Sequence, residues 1–408
     1  MLTTLLRQRE AQNAACLIVR QAGTVAVLET STRRLIPLAC GAVIALVMAA
    51  VFVPHFHRDT GLTSLIRMGE RDKDKLPPEL AGVPVYLIPH RGAFDGQYYA
   101  HMALHPPWMH HDLADHYDFP AYRLRRVFLP TLAWGLGLGR PLWIVHVFSW
   151  FNLVAWFVLA WLLTTWLPLD NWTNFGRWAG CLLSAGVLES LRGSLCDLPS
   201  LLLLLAGVRL WETRQPRSGS LLLAASVLSR DTMALSVLAL LWPVPPGRRG
   251  VLRLVTVGAL IVGPAVLWAL YVRHYFPTSV MGVSGNLHWP FYGTVEVVGD
   301  AFDHLRRGTE DNGRYTFRLV SLAALALQAG VVLANWRQGP QWLRVALPFI
   351  LFFPFLGEPV LGGPWGLWRG MLPVAVAFCF LVPAGRWFVP LLLAGSLPSL
   401  LALFRLVF

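Results

Sequence analysis

The sequence predicts an all-α fold, a polytopic membrane protein of about eleven transmembrane helices. Hydrophobic residues make up 55% of the 408 residues, charged residues make up only 14%, and the mean hydropathy is +0.53. The apolar residues also form long runs, and a helix of roughly 20 such residues crosses about 30 Å of hydrocarbon. Because a soluble domain of this size carries far more charge, the composition excludes an ordinary soluble globular protein.

The predicted spans follow one another from residue 35 nearly to the carboxyl terminus. Some are shorter than a full crossing, which a helix tolerates where other helices surround it. They cover residues 35–54, 142–166, 177–191, 196–212, 219–230, 232–246, 251–275, 317–336, 343–357, 365–385 and 387–406.

Two segments leave alternatives open. Residues 219–243 form either one span, with Arg230 and Asp231 in its middle, or two short helices that meet at the outer surface. The second arrangement is favoured because it keeps the charges out of the hydrocarbon. Residues 125–139 contain Pro130 and several glycines, so we expect this segment to lie in the outer interface instead of crossing fully.

The distribution of arginine predicts the orientation. Basic residues dominate segment 1–34 and the alternate short connections, whereas acidic residues balance or exceed basic ones in the loops on the other side. The positive-inside rule therefore predicts a membrane protein whose segment 1–34 is cytoplasmic. The same pattern predicts a transmembrane domain over residues 35–408. It has two large extracytoplasmic loops, 55–141 and 276–316, and the first of them carries short interfacial helices. The net charge of +12 is scattered between apolar runs, which favours membrane lipids over nucleic acid as partners.

Asp95 is the first candidate for chemistry on the outer side. It lies in FDGQYYAHMALHP, residues 94–106, whose spacing after Gly96 is helical. Aspartate at a helix start commonly caps the helix. A carboxylate at a membrane interface can also act as a general base. Both interpretations stay open on the residues alone.

Histidines raise the question of a metal. His101 and His105 are four residues apart and could share a helix face, and the acidic, histidine-rich stretch HHDLADHYD follows them. That stretch resembles a solvated loop. These two histidines are weak candidates for a divalent metal ion, and we expect no certain cofactor.

Arginines at the outer surface are candidates for holding phosphate. Arg123 and Arg126 lie in YRLRR, which meets the outer membrane surface and would contact either lipid phosphates or the phosphate of a lipid-linked substrate. Other ionisable residues fall in outer turns, where charges are costly unless paired or functional. They are Arg192, Asp197, Arg230, Asp231 and Arg369.

Several motifs, taken in their order along the chain, resemble those of known envelope proteins. They are FDGQYYAHMALHP (94–106), AYRLRRVFLPTLAW (121–134), RGSLCDLPSLLLLLAGVRLW (192–211), VLSRDTMAL (227–235) and NLHWPFYG (286–293). The chain resembles bacterial polytopic proteins of cell-surface glycopolymer formation and, more broadly, the GT-C class of membrane glycosyltransferases.

The resemblance implies an inverting transferase on the extracytoplasmic side. Its donor would be a polyprenyl-phosphate sugar, its acceptor a cell-surface glycan or lipid-linked acceptor, and its general base Asp95. It implies two further groups of residues. Phosphate would be bound by Arg123, Arg126, Arg192, Arg230 and Arg369, and the sugar pocket would contain Gln97, Tyr98, Tyr99, Asp197 and Asp231.

The chain also departs from the family. A second acid often follows the first, whereas Gly96 follows Asp95 here. This departure puts metal dependence in doubt and permits a catalytically silent scaffold. A further alternative function is a non-catalytic transporter or flippase for lipid-linked glycans. We see no internal repeat of the kind common in transporters, and the charges lie at helix ends, both of which favour the enzyme.

Overall fold

A computed structural model describes residues 35–106, 117–240, 247–277, 285–308 and 311–407. The predicted cytoplasmic segment 1–34 and the histidine-rich residues 107–116 lie outside the described residues. About 75% of the structure is helical, so the all-α prediction is confirmed. One small parallel sheet accompanies the helices, in which strand β1 (Met68–Gly69) pairs with β2 (Leu87–Ile88).

The amino-terminal half contains a long first helix, a loop with short helices, and a group of packed helices. In chain order these are α1 (Leu35–His55), α2 (Asp95–Leu104), α3 (Pro120–Arg123), α4 (Phe128–Leu136), α5 (Pro141–Leu163), α6 (Trp172–Leu182), α7 (Ala185–Arg192), α8 (Asp197–Glu212), α9 (Pro216–Ser229) and α10 (Ala234–Leu240). Short 3-10 turns lie at Thr63–Ile66, Glu70–Lys75, Pro78–Leu80 and Asp231–Met233.

The carboxyl-terminal half continues with helices of very different length. They are α11 (Arg248–Tyr275), α12 (Tyr292–Arg307), α13 (Asn312–Asn335), α14 (Leu347–Phe352), α15 (Glu358–Leu361), α16 (Pro364–Gly370), α17 (Leu372–Leu381), α18 (Phe388–Gly395) and α19 (Leu397–Val407). The 3-10 turns Gln341–Ala346 and Phe353–Phe355 flank α14.

Four described helices, α1, α5, α11 and α13, are long and apolar enough to cross a membrane. Helices α18 and α19 would make a fifth span if the pair, bent by 55°, is counted as one. The other predicted spans correspond to shorter or interrupted helices. Predicted span 177–191, for example, is divided between α6 and α7, because Ser184 takes an extended backbone conformation.

In the two segments that left alternatives open, the structure has a break and a short helix, and their position in a membrane stays a prediction. Helices α9 and α10 are separate, and Arg230 with the turn Asp231–Met233 lies between them. Helix α4 contains only 9 residues, far too few to cross a bilayer.

Two clusters of buried apolar side chains form the core. The larger joins α1 and α5–α9 to the carboxyl-terminal helices, with Trp156, Trp368 and Phe378 among its largest members. The smaller packs α2 against α4 and the start of α5, around Tyr99 and Phe148. The candidate site lies where the first loop, the α8–α9 hairpin and α16 come together.

Candidate active site

Asp95 is the first residue of α2, and its carboxylate joins two distant arginines. The N-cap is Phe94, and Asp95 makes no capping hydrogen bond. Asp95 Oδ1 accepts a hydrogen bond from Arg123 Nη1 at 2.7 Å, and Oδ2 lies 2.8 Å from Arg369 Nη1. The N-cap interpretation of Asp95 is therefore wrong, because both carboxylate oxygens are engaged away from the helix backbone.

Gly96 allows α2 to begin in this position. A Cβ atom at residue 96 would overlap the carbonyl oxygen of Gly193 and lie 2.6 Å from that of Ile66. Only a residue without a side chain fits where three backbone segments approach so closely. Gly96 therefore allows Asp95 to lie close to the turn that follows α7.

Arg123 is fixed by a second carboxylate. Its Nε donates to Asp118 Oδ1 at 2.9 Å and its Nη2 to Asp118 Oδ2 at 2.8 Å, while Nη1 remains for Asp95. The guanidinium also lies over the Tyr98 ring, 4.7 Å from its centroid. A forked pair of this kind sets the orientation of a guanidinium. Sequence reasoning did not select Asp118, whose signal is only its position just before α3.

The α8–α9 hairpin brings a buried acid and a buried arginine together. Asp197 is the first residue of α8, Arg230 directly follows α9, and the antiparallel packing of the two helices places both at the same end. They form an ion pair, and Arg369 Nε lies 3.6 Å from Asp197 Oδ2. Arg369 therefore lies between Asp95 and Asp197 and links the loop to the hairpin.

The surrounding arginines determine the protonation state of Asp95. Burial alone would raise the pKa of its carboxyl, but the charges of Arg369 and Arg123 outweigh that effect and hold the pKa well below its usual range. Asp231 follows the same pattern, since burial is outweighed by Arg126 and Arg125 and its pKa is lowered. Both acids are ionised at neutral pH.

A cavity of about 300 Å³ lies beside these charges. Its lining combines a polar, strongly basic set of residues with an apolar set, called the polar wall and the apolar wall below. The polar wall contains Tyr122, Arg125, Arg126, Arg230, Asp231, Thr232, Asn286 and Arg369, and the apolar wall contains Leu287, Phe349, Phe352, Leu356, Pro359, Val360 and Met371. Asp231 is the acidic residue of this lining, and its Oδ2 lies 3.1 Å from Arg125 Nη1.

Most residues of the predicted sugar pocket do not line this cavity. Gln97 is buried and accepts a hydrogen bond from the Gly69 N–H at 3.0 Å, and the hydroxyl of buried Tyr99 accepts one from Arg126. Tyr98 and Asp197 hold Arg123 and Arg230. Three of these four residues, Tyr98, Tyr99 and Asp197, therefore contact arginines and do not line the cavity. Of the predicted sugar-pocket residues, Asp231 alone lines the cavity.

Of the predicted phosphate-binding arginines, Arg126, Arg230 and Arg369 line the cavity and Arg123 lies behind it on Asp95. Arg192 lies elsewhere, with its Nη1 3.9 Å from Glu189 Oε2. Sequence reasoning missed the apolar wall, because Phe349 and Phe352 come from an ordinary hydrophobic run far along the chain. Arg125 had a signal, its place within YRLRR.

The described residues contain no group of three or more histidine, cysteine, aspartate or glutamate side chains arranged to hold a metal ion. His105 Nε2 lies 2.5 Å from Glu79 Oε2, and His101 is buried in the smaller apolar cluster. Both oxygens of Asp95 are taken by arginines. The guanidinium groups of Arg123 and Arg369 therefore occupy the positions beside Asp95 that a metal ion would need.

Comparison with family models, with curated proteins and with solved structures finds no match to this chain. The resemblance to GT-C glycosyltransferases thus depends on the short motifs between residues 94 and 293, and membership of that class stays a prediction.

Proposed function

We propose that this protein is a GT-C-type membrane glycosyltransferase. It moves a sugar from a polyprenyl-phosphate donor to a cell-surface glycan or lipid-linked acceptor on the extracytoplasmic side. The observation that supports this most is the mixed lining of the cavity, which combines four arginines with seven apolar residues. A phosphate attached to an isoprenoid chain presents the same two chemistries in one molecule.

The basic wall suits the donor phosphate. Arg125, Arg126, Arg230 and Arg369 line it, and Asp231 compensates part of their charge. Guanidinium groups bind phosphate with paired hydrogen bonds. They also stabilise the charge that develops on a leaving phosphate, and they act more strongly where water is excluded. The apolar wall, with Phe349 and Phe352, would receive the first isoprene units.

Asp95 is the proposed general base. Its carboxylate takes the proton from the acceptor hydroxyl as that oxygen attacks the anomeric carbon. The bond from that carbon to the phosphate oxygen breaks, and polyprenyl phosphate leaves with the electron pair, so the configuration inverts. In the free protein Arg369 is shared by Asp95 and Asp197 and also lines the cavity. A donor phosphate that draws Arg369 towards itself would weaken its hold on Asp95 and raise the basicity of that carboxylate.

The proposal includes the topology that the arginine bias predicts. The amino terminus would be cytoplasmic, the protein would lie in the bacterial inner membrane, and about eleven segments would cross it. Shorter helices such as α8, which is largely buried among its neighbours, would cross within the bundle and not in contact with lipid.

The test is analysis of lipids bound to the purified protein by native mass spectrometry in mild detergent. We expect a co-purifying polyprenyl phosphate or polyprenyl-phosphate sugar. The Asp95→Asn variant should retain the sugar-loaded donor, since it keeps the arginine wall and lacks the base. The Arg126→Gln variant should lose the lipid.

Other outcomes would support other functions. An oligosaccharide-pyrophosphate lipid bound without a monosaccharide donor would favour the flippase or scaffold. Ordinary phospholipids alone, with no change on Arg126→Gln, would contradict the proposal that the cavity holds a donor. Transfer of radiolabelled sugar from an isolated donor pool to membrane glycans then measures the activity directly.

A further inference from the structure

A second group of arginines lies outside the active-site cavity, around the loop that leads into α2. We name Arg67, Arg71, Arg91 and Arg192 the outer arginine cluster. They line two adjoining cavities of about 390 and 230 Å³, which share Arg67, Ile88 and Arg91 as walls. Phe94, the residue before Asp95, lines the larger one. The proposed donor cavity uses none of these residues.

Arg67 differs from an ordinary surface arginine in its burial and in its backbone conformation. It is 9% exposed, and its backbone is in the left-handed region at φ 60°, which is uncommon for a residue with a side chain. Its guanidinium lies over the Phe94 ring, 4.5 Å from the centroid. Its Nη1 is buried and has no hydrogen-bond partner among the described residues. A buried, unpartnered guanidinium nitrogen is costly, and a bound oxyanion would remove that cost.

The cluster carries more positive than negative charge. Glu189 is the carboxylate buried beside it, with Oε2 3.9 Å from Arg192 Nη1 and 3.5 Å from Arg405 Nη1. One carboxylate is thus shared by two arginines, while Arg67 and Arg91 add further charge. Glu70 and Asp72 lie nearby and accept hydrogen bonds from the backbone N–H groups of His90 and Ala93. Together with Glu189 they balance three of the five formal positive charges, which are those of Arg67, Arg71, Arg91, Arg192 and Arg405.

The crowding of these cations appears in their pKa values. Burial lowers the pKa of Arg192 to about 10, and repulsion from Arg67 and Arg405 adds to this effect. Burial also lowers the pKa of Arg67. The negative charge of Glu189 raises this pKa, whereas the positive charges of Arg405 and Arg91 lower it further. Positive charges that repel one another around a cavity are stabilised when an anion enters it.

The location of the cluster suits a ligand at the membrane surface. Pro54 and His55, at the end of the candidate membrane span α1, line the smaller cavity. Phe94 joins the larger cavity to Asp95, whose other contact, Arg369, lines the donor cavity. Asp95 is therefore connected to both groups of cavities, through its sequence neighbour Phe94 and its ion-pair partner Arg369.

We propose that the outer arginine cluster binds the phosphate of a lipid-borne acceptor, at a site separate from the donor phosphate. A surplus of more than one positive charge favours a group of two or more negative charges, such as a lipid pyrophosphate or a phosphomonoester, over a single carboxylate or a phosphodiester. The acceptor role rests on the proposed function, whereas the phosphate site stands on the geometry of the cluster alone. An acceptor anchored there would bring its hydroxyl towards Asp95 from a cavity other than the donor cavity.

The first experiment measures phosphate binding without catalysis. Full-length protein in phosphatidylcholine nanodiscs is titrated with inorganic pyrophosphate by calorimetry at fixed ionic strength. We expect Arg67→Gln and Arg91→Gln each to weaken binding by ~10-fold, the effect of losing one charge-assisted hydrogen bond. Arg91 is exposed, so its variant should fold even if the Arg67 variant does not.

Two matched variants make the result specific. Arg58 is exposed, lies in the same loop and lines neither cavity, so Arg58→Gln should bind pyrophosphate as the wild type does. Equal binding by Arg91→Gln and Arg58→Gln would overturn the proposal. A loss seen with Arg125→Gln but not with Arg91→Gln would assign pyrophosphate to the donor cavity and overturn it as well.

Two further measurements test the lipid and acceptor parts. Nanodiscs that contain phosphatidic acid should weaken pyrophosphate binding by competition, whereas unchanged binding would contradict a lipid-borne phosphate. In the transfer assay, Arg91→Gln should raise the KM for acceptor and leave that for donor unchanged, and the reverse would contradict the acceptor role. If the wild type transfers no sugar while Arg91→Gln still loses pyrophosphate, the proposed function fails and the phosphate site remains.

Discussion

Asp95 and Arg369 are joined by an ion pair of 2.8 Å, although Asp95 begins α2, in the loop after α1, and Arg369 lies in α16 near the carboxyl end of the chain. The same arginine approaches Asp197 at the start of α8. One side chain thus joins three separate parts of the chain at the edge of the cavity. The acid that the motif singled out is therefore part of a network of ion pairs.

Replacement of Asp95 should abolish transfer without unfolding the protein. In Asp95→Asn, Arg123 retains Asp118 and Arg369 retains Asp197, so neither guanidinium is left without an acid. Loss of a general base costs about 10²–10⁴-fold in rate. Sugar transfer measures the loss, and size-exclusion elution with the thermal midpoint reports folding. Asp59→Asn, at an exposed acid of the same loop, is the control, and an Asp95→Asn variant with normal turnover would remove Asp95 as the base.

The ion pairs of Asp95 should persist to acidic pH. Because its pKa is lower in the folded than in the unfolded protein, where it is about 3.9, the ionised carboxylate stabilises the fold above that pH. This stabilisation is lost as the pH falls below about 4 towards the folded pKa. The difference in thermal midpoint between the wild type and Asp95→Asn should therefore stay constant from pH 8 to about pH 4.5 and shrink below it. A difference that disappears near pH 6 would contradict the lowered pKa.

Much of the helical architecture could be predicted, because apolar runs and arginine bias are local signals. The long helices α1, α5, α11 and α13 lie within a few residues of the predicted spans 35–54, 142–166, 251–275 and 317–336. The breaks that divide other spans were not predicted. Ser184 interrupts an apolar run without a neighbouring proline or charge to mark it, and packing decides where such helices end. The break at Ser396 has a local signal, since Gly395 precedes it and Pro398 follows it, but the predicted span 387–406 runs through both.

The charged residues of the candidate site could be predicted from the sequence, but the ion pairs between them could not. Asp95, Arg230 and Arg369 stood out as charges in outer turns of an apolar chain. That Arg369 would reach both Asp95 and Asp197 depends on how α16 packs against α7, which no short pattern encodes. Arg67 gave no signal, because an arginine in a polar loop is ordinary until its burial is known.

Gly96→Ala should destabilise the protein. The new methyl group would overlap the Gly193 carbonyl and press against that of Ile66, which are backbone atoms that cannot move aside easily. Overpacking of this kind costs about 1–3 kcal/mol. The thermal midpoint and sugar transfer should both fall, because α2 carries Asp95. Gly135→Ala, in α4 with no atom within 4 Å of its Cβ position, should be neutral or slightly stabilising, and equal effects of the two changes would contradict the close approach.

The orientation of the first loop can be tested at an exposed residue. Ser64 is buried and donates a hydrogen bond to the His55 carbonyl, so a cysteine there would be a poor reporter. Asp74 is exposed in the same loop, and Thr213 is exposed in the short connection between α8 and α9. In intact cells Asp74→Cys should react with a membrane-impermeant maleimide and Thr213→Cys should not until the cells are opened. The opposite pattern would reverse the predicted topology.

The buried pair of Asp197 and Arg230 should be sensitive to loss of either partner. Asp197→Asn leaves Arg230 buried with its main negative charge removed, and breaking a buried pair in this way costs about 3–5 kcal/mol. The double variant Asp197→Asn with Arg230→Gln should lose less than the sum of the single variants, because it leaves no uncompensated charge. The control is the ion pair of Arg209 and Glu212, which is 3.3 Å long and well exposed, so Glu212→Gln should change stability by no more than about 0.5 kcal/mol. Denaturant unfolding in detergent measures all four proteins, and a loss for Asp197→Asn as small as that for Glu212→Gln would show that the buried pair contributes little to holding the hairpin at the site.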